Sequence, residues 1–207
     1  DQKAKWLPRL AEGKEVPCFA LTEPEAGSDA SSISSRGVVF RGEDGEPCIR
    51  LDWDKRYTTM ALKATVIGLA FQLEDPDRLL GKGEAPGITV ALVPADLPGI
   101  ERGLQHDPLN VPFFNSPFQG QGVEVPVDAI IGGLEGVGKG WKMLMECLAS
   151  GRAIMLPAQG TAGVKSMARV ASAYSFIRRQ FGQPIGRFEG VREPLARLAG
   201  ASYIFEA

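Results

Sequence analysis

The chain has 207 residues, of which 44% are hydrophobic and 23% charged, a balance that suits one sizeable folded core or two modest ones. Lys plus Arg number 23 against 25 Asp plus Glu, and this formal charge of −2 argues against nucleic acid as the main partner. There is no basic start running into an apolar core, so no secretory signal is visible. No run is long enough to span a bilayer, while peripheral membrane contact stays open.

The chain opens on "DQKAKWLPRLAEG", which reads as a helix already under way, with Trp6, Leu7 and Leu10 on one side and Gly13 as a stop. From about residue 14 to 133 the pattern is strand and turn. "CFALT" is extended, and "GVVFRGEDGEPCIRLDWDKRYTTM" holds two or three strands around a turn at Asp44–Gly45. "ATVIGLAFQL", "GITVALVP" and "GVEVPVDAII" are further strands, punctuated by Pro76, Pro86, Pro98 and Pro108. The expected architecture is an antiparallel barrel-like β domain. Helix-length periodicity is largely missing here, which weighs against a dinucleotide-binding α/β sheet.

From Gly138 the period changes. Trp141, Met143, Leu144, Met145, Cys147 and Leu148 begin a helix. Val164, Met167, Ala171, Tyr174, Arg178 and Phe181 then recur at spacings of three and four, which predicts one helical stripe ended by Pro184 and Gly186. A last helix is expected near Val191 with Pro194 in its first turn. The fold class is therefore multidomain α+β: residues 1–13 end a helical segment, 14–133 form the β domain, and 134–207 open a C-terminal helical bundle. Both ends look cut through helices, so the chain is expected to be a central fragment.

Cys18, Cys48 and Cys147 lie far apart with no C-x-x-C pair, and they are expected to be buried free thiols in a reducing compartment. His106 is the only histidine, so no histidine-based metal site is expected, and in "LQHDPLN" it reads as a turn or packing residue rather than a base. In "PCFALTEPEAGSDAS", Phe19 and Leu21 face one way and Cys18, Ala20 and Thr22 the other. Pro24 ends the strand, Gly27 permits a tight turn, and Ser28 and Asp29 can hydrogen-bond locally. Backbone N–H groups and the Thr22 and Ser28 hydroxyls would cluster there. Glu23, Glu25 and Asp29 would repel a phosphate, and on chemistry alone a surface turn fits slightly better than a ligand cradle. If "DWDKRYTTM" is extended, Trp53, Lys55, Tyr57 and Thr59 share a face that suits a planar ring, or an ordinary aromatic–threonine pair. Arg178, amid apolar neighbours, needs a carboxylate or phosphate partner; an interhelical salt bridge would serve equally.

"PCFALTEPEAGSDAS" closely resembles the flavin-contacting signature of acyl-CoA dehydrogenases. "KRYTTM", "GKGWKMLMECLASGRAIMLPA" and "RRQFGQPIGRFEG" resemble later family segments in the same order, and "RLDWDKRYTTMA" and "PLNVPF" resemble the large bacterial fatty-acid-oxidation branch. The resemblance implies FAD as cofactor. Phe19, Leu21 and Thr22 would line the isoalloxazine, with Thr22 bonded to its pyrimidine side. Gly27 and Ser28 would form the turn near cofactor and substrate. Tyr57 would pack on the flavin where many relatives have tryptophan, and Thr59 would bond near flavin N5. Arg178, with Gln180 and Phe181 beside it, would reach the FAD of a neighbouring subunit. Met60 stands where many relatives have asparagine. The implied activity is conversion of a long-chain fatty acyl-CoA to the trans-2-enoyl-CoA in bacterial cytoplasm, with electrons passed to an electron-transfer flavoprotein and a homodimer or higher homo-oligomer as the assembly. The catalytic base is expected beyond residue 207, since Gly151 occupies the position where a minority of relatives carry it. An acyl-CoA oxidase and a catalytically silent flavin- or acyl-CoA-binding module are the alternatives.

Overall fold

The computed structural model describes residues 2–206, with the side chain of Ser150 left aside; the terminal positions Asp1 and Ala207, included in the expected domain bounds, lie outside the described residues. The chain divides into two units, Asp1–Leu144 and Met145–Ala207.

The first unit opens with α1 (Gln2–Ala11). Gln2, Trp6 and Leu10 form its half-buried face, whereas Leu7 is exposed. The Gln2 amide ties the helix to the chain following the last sheet strand: Nε2 donates to Asp128 O at 2.6 Å and Ile130 O at 2.7 Å, and Oε1 accepts from Gly132 N at 3.1 Å.

Seven strands then build one sheet: β1 (Pro17–Ala20), β2 (Arg36–Arg41), β3 (Pro47–Thr59), β4 (Val66–Glu74), β5 (Gly87–Pro94), β6 (Ile100–Arg102) and β7 (Asn115–Pro126). β4 pairs with β1, β2 and β5, and the ladder continues from β2 through β3 and β7 to β6. The expected antiparallel pairing holds for β2–β3, β3–β7, β4–β5 and β6–β7. It fails at β4, which runs parallel to both β1 and β2, so the sheet is mixed. The reason is topological: β1 and β2 are joined by a long turn rather than a hairpin, and both can enter alongside β4 in the same direction.

Alternation along β4 sorts the sheet's two faces. Ile67, Leu69, Phe71 and Leu73 enter the main core with Cys18, Ala20, Val39, Ile49, Leu51, Trp53 and Val123. Ala70 joins a smaller cluster with Ala26, Ile33, Val90 and Leu144, against which Leu21 packs. Each fully buried aliphatic side chain contributes about 1.5–3 kcal/mol. Trp53 lies edge-on to Phe118, with ring centroids 5.8 Å apart, and its ring covers Gly120, where a Cβ would come within 2.2 Å.

The helix α2 (Gly140–Ile177) begins at the end of the first unit, and the second unit continues it. A two-stranded hairpin follows, β8 (Arg179–Gln180) and β9 (Gln183–Pro184), and then α3 (Glu189–Glu206). The half-buried stripe of α2 is Thr161, Val164, Ala168, Ala171 and Ser175, one position away from the expected one at Met167 and Tyr174, both of which are exposed. An exposed ion pair between Lys165 and Glu206, at 2.5 Å, links α2 to α3. α3 starts two residues earlier than expected, which puts Pro194 in its second turn. The cysteine expectation also needs correction. Cys18 is buried, and burial pushes its thiol up to about 11, but Cys48 is only partly buried and Cys147 is exposed.

Candidate functional site

The turn after β1 is built around a buried ion pair that alternation and motif reading missed. Glu23 is 3% exposed and Lys55 is fully buried. The Lys55 ammonium donates to Glu23 Oε1 at 2.7 Å and to Leu21 O at 3.0 Å. The same carboxylate accepts from Ser34 N at 2.6 Å, Ser34 Oγ at 2.8 Å and Ser35 N at 3.0 Å, and from the Ser35 hydroxyl. Burial alone would raise the Glu23 pKa, but the hydrogen bonds from Lys55, Ser35 and Ser34 and the charge of Lys55 outweigh it and hold the carboxyl at about 2. Burial pulls the Lys55 ammonium down, opposed by Glu23. A signal was present in the sequence: Lys55 alternates with Ile49, Leu51 and Trp53 on one face of β3, and a cation there demands an acidic partner.

This pair answers the acidic-turn problem. Glu23 is neutralised inside the fold. Asp29 is engaged by the Ser31 hydroxyl at 2.6 Å and by the Ser32 hydroxyl, bonds that hold its pKa below the usual carboxylate range. Gly27 and Ser28 remain exposed on the turn itself. Phe19 projects from the non-core face of β1, 40% exposed, above its register partner Gly68, where a Cβ would sit 3.4 Å from the Phe19 ring. Leu21 is half-buried, as is Thr22, whose carbonyl accepts from Arg56 N at 3.0 Å. That bond joins the end of β1 to β3 one residue from Tyr57.

β3 departs from the expected alternation at this point. Its register against β7 shifts between Lys55 and Thr58, and Tyr57 takes a left-handed φ of 58°. The bulge reverses the facing: Trp53 and Lys55 point into the core, Thr58 is buried next, and Tyr57 and Thr59 are exposed. Trp53, Lys55, Tyr57 and Thr59 therefore do not share a face. Tyr57 is 55% exposed, flanked by the Arg56 guanidinium 4.5 Å and the His106 ring 4.9 Å from its ring centroid.

In the second unit, α2 ends at Ile177, so Arg178 and Phe181 lie beyond the helical stripe and Arg178 is exposed rather than set in apolar packing. Arg178 N still donates to Tyr174 O at 2.8 Å, and Arg178 O accepts from Ile185 N at 2.8 Å. Gln180 opens the hairpin turn opposite Gln183, and its Nε2 donates to Arg179 O at 2.7 Å. Phe181 and Gly182 turn with φ of 51° and 77°, the doubly left-handed conformation of a type I′ turn. Phe181 is 93% exposed and meets Phe188 edge-on at 6.0 Å. The i, i+3 spacing of residue types continues through Arg178 and Phe181 although the helix ends at Ile177, so the spacing alone does not mark the helix end.

The comparisons with known proteins cover both units. The family model described as the acyl-CoA dehydrogenase middle domain matches residues 18–116, and that of the acyl-CoA dehydrogenase C-terminal domain matches 138–205. "Protein HemX" of Proteus mirabilis is 54% identical over 104 residues, 50% of this chain and 61% of that protein. "Probable acyl-CoA dehydrogenase FadE10" of Mycobacterium tuberculosis is 30% identical over 217 residues, and the mitochondrial "very long-chain specific acyl-CoA dehydrogenase" of Bos taurus is 31% identical over 211. Each covers 100% of this chain, which spans 30% of their length. The crystal structure of an acyl-CoA dehydrogenase complexed with FAD from Bacillus anthracis superposes with a TM-score of 0.78 at 26% identity, over 99% of this chain and 32% of that one. With a β unit and a helical unit each matched by its own family model, the chain belongs to the acyl-CoA dehydrogenase family.

Proposed function

We propose that this chain supplies much of the FAD site of an enzyme that converts long-chain fatty acyl-CoA to trans-2-enoyl-CoA in bacterial fatty-acid β-oxidation. The observation that carries the reading is the exposed wall beside the buried Glu23–Lys55 pair: Phe19 on Gly68, then Leu21, Thr22, Tyr57 and Thr59. This wall fits a flavin. Two exposed aromatic rings and hydroxyl donors suit an uncharged planar ring system, and the Glu23 carboxylate of the same turn is neutralised internally by Lys55. Bound FAD supplies the hydride acceptor for the β carbon of the thioester.

The chain's own residues bind and orient. Phe19, Leu21 and Tyr57 pack the isoalloxazine, Thr22 donates to its pyrimidine side, and Thr59 donates near N5. Gly27 and Ser28 form the turn beside cofactor and substrate. Arg178, exposed at the start of the β8–β9 hairpin, reaches an FAD phosphate of a neighbouring copy in a homo-oligomer, with Gln180 and Phe181 beside it. The proton acceptor at the α carbon is a carboxylate outside these 207 residues, since Gly151 has no side chain to serve. Residues 1–13 close an N-terminal helical domain, 14–133 form the middle domain and 134–207 open the C-terminal one. Electrons leave to an electron-transfer flavoprotein in the cytoplasm.

The test is purification of the full-length protein, followed by FAD content and anaerobic bleaching with palmitoyl-CoA. A yellow protein that bleaches and passes electrons to an added carrier is expected. Colourless protein that takes up no FAD refutes the flavin site, peroxide formed without a carrier makes the enzyme an oxidase, and flavin that palmitoyl-CoA does not bleach makes it a silent binding module.

A further inference from the structure

Tyr57 and Met60 both occupy left-handed backbone, with φ of 58° and 67°, on either side of Thr58–Thr59. Two such non-glycine residues within four are strained and persist only when the surroundings hold them. The holder is the segment that leads from β6 into Asn115, the first residue of β7. Asn115 Nδ2 donates to Tyr57 O at 2.8 Å, Met60 N donates to Phe114 O at 2.7 Å, and Asn115 is the register partner of Thr59. Asn115 is in turn held by His106 twice: His106 N donates to Asn115 O at 2.7 Å, and His106 Nδ1 lies 2.7 Å from Asn115 Oδ1.

The pairing settles the imidazole tautomer. The Tyr57 carbonyl only accepts, so it takes the Asn115 amide nitrogen and leaves Oδ1, also acceptor-only, facing His106. A proton is therefore on Nδ1, the nitrogen that faces Asn115. The same imidazole flanks the exposed Tyr57 ring at 4.9 Å, inclined by 46°. His106 thus contacts Tyr57 by two routes, directly through the ring and indirectly through Asn115 to the backbone.

We infer that His106 is a positioning residue for the flavin wall: through Asn115 it locks the Tyr57 bulge, and through its ring it sets the angle of the Tyr57 side chain. This role rests on the FAD reading above, whereas the tautomer and the lock do not. Nothing in the relation requires His106 to touch the cofactor.

The experiment uses the full-length protein. Long-range 15N–1H NMR, with the His106 signal assigned by its loss in His106→Gln, is expected to show a protonated Nδ1 without FAD present. The opposite tautomer overturns the lock. FAD titration is expected to show an affinity loss of about three- to ten-fold in His106→Gln, the effect of one hydrogen bond and a ring contact. In the Tyr57→Ala background the same substitution is expected to change affinity no further. A full loss persisting without the Tyr57 ring overturns the positioning role. Asn115→Asp, which accepts from His106 but cannot donate to Tyr57 O, is expected to reproduce the loss while keeping the Nδ1–H tautomer; unchanged FAD affinity in this variant counts against the lock. Wild-type protein that binds no FAD removes the flavin reading, and the tautomer measurement then still decides the lock by itself.

Discussion

Lys55→Met tests the buried pair on which the β1 turn depends. Methionine has nearly the volume of lysine, so packing around Ile49, Leu51 and Trp53 is kept while the Glu23 carboxylate loses its cationic partner Lys55. The Glu23 carboxyl is held from 4.5 down to about 2, which at ~1.4 kcal/mol per pH unit corresponds to about 3 kcal/mol of stabilisation. Breaking a buried pair from one side costs about 3–5 kcal/mol. The expected loss is therefore about 3 kcal/mol at pH 7. The sign with pH follows from a depressed folded-state pKa. The wild-type advantage is full above about 4.5 and fades as pH falls toward about 2, where Glu23 protonates. Trp6, Trp53 and Trp141 all lie in the first unit, so urea unfolding followed by tryptophan fluorescence reads it directly. Glu23→Gln with Lys55→Met is expected to recover only part of the loss: the buried charge is gone, but the amide has one accepting oxygen where the carboxylate used Oε2 for Ser34 and Oε1 for Ser35. A single variant within about 0.5 kcal/mol of wild type, or a gap that stays constant between pH 7 and pH 3, would refute the reasoning.

Gly120→Ala drives a methyl to 2.2 Å from the Trp53 ring and is expected to cost about 1–3 kcal/mol in the same urea assay; an unchanged midpoint would show that the ring moves freely. Gly182→Ala places a Cβ at φ 77° in the β8–β9 turn and is expected to cost about 1 kcal/mol in thermal unfolding of the second unit, against no change if the turn can remodel. Arg178→Ala is expected to lower FAD affinity and loosen subunit association in the full-length protein; unchanged flavin content and elution volume on gel filtration count against its role. Thr22→Ala and Thr59→Ala are expected to shift the flavin spectrum or potential, and identical values in both variants would remove them from the site.

Much of the β unit was legible because its cues are local. The extended "CFALT" marked β1, apolar runs marked β4 and β5, "GVEVPVDAII" marked the second half of β7, and Asp44–Gly45 marked the β2–β3 turn, where Gly45 takes φ 83°. β6 is three residues long and offers too little pattern to be seen. The parallel entry of β1 and β2 beside β4 depends on which strands meet, and strand pairing leaves no trace in a single strand's periodicity. The candidate site divides in the same way. Phe19, Gly27 and Ser28, expected from the motif, are exposed, whereas the residues that hold the segments around them, Lys55, Asn115 and His106, sit 32, 92 and 83 residues from Glu23 by sequence number.

By itself the sequence determined the element types in order, the change from period two to period 3.6 near Gly138, and the family, because these are set by residues close together in the chain. Only the tertiary structure decided that Glu23 is a buried, neutralised carboxylate, that a bulge turns Tyr57 and Thr59 away from the core, and that α2 stops before Arg178. Charge compensation, strand register and the end of a helix each depend on what the rest of the chain brings alongside, and a one-residue bulge reverses every facing beyond it.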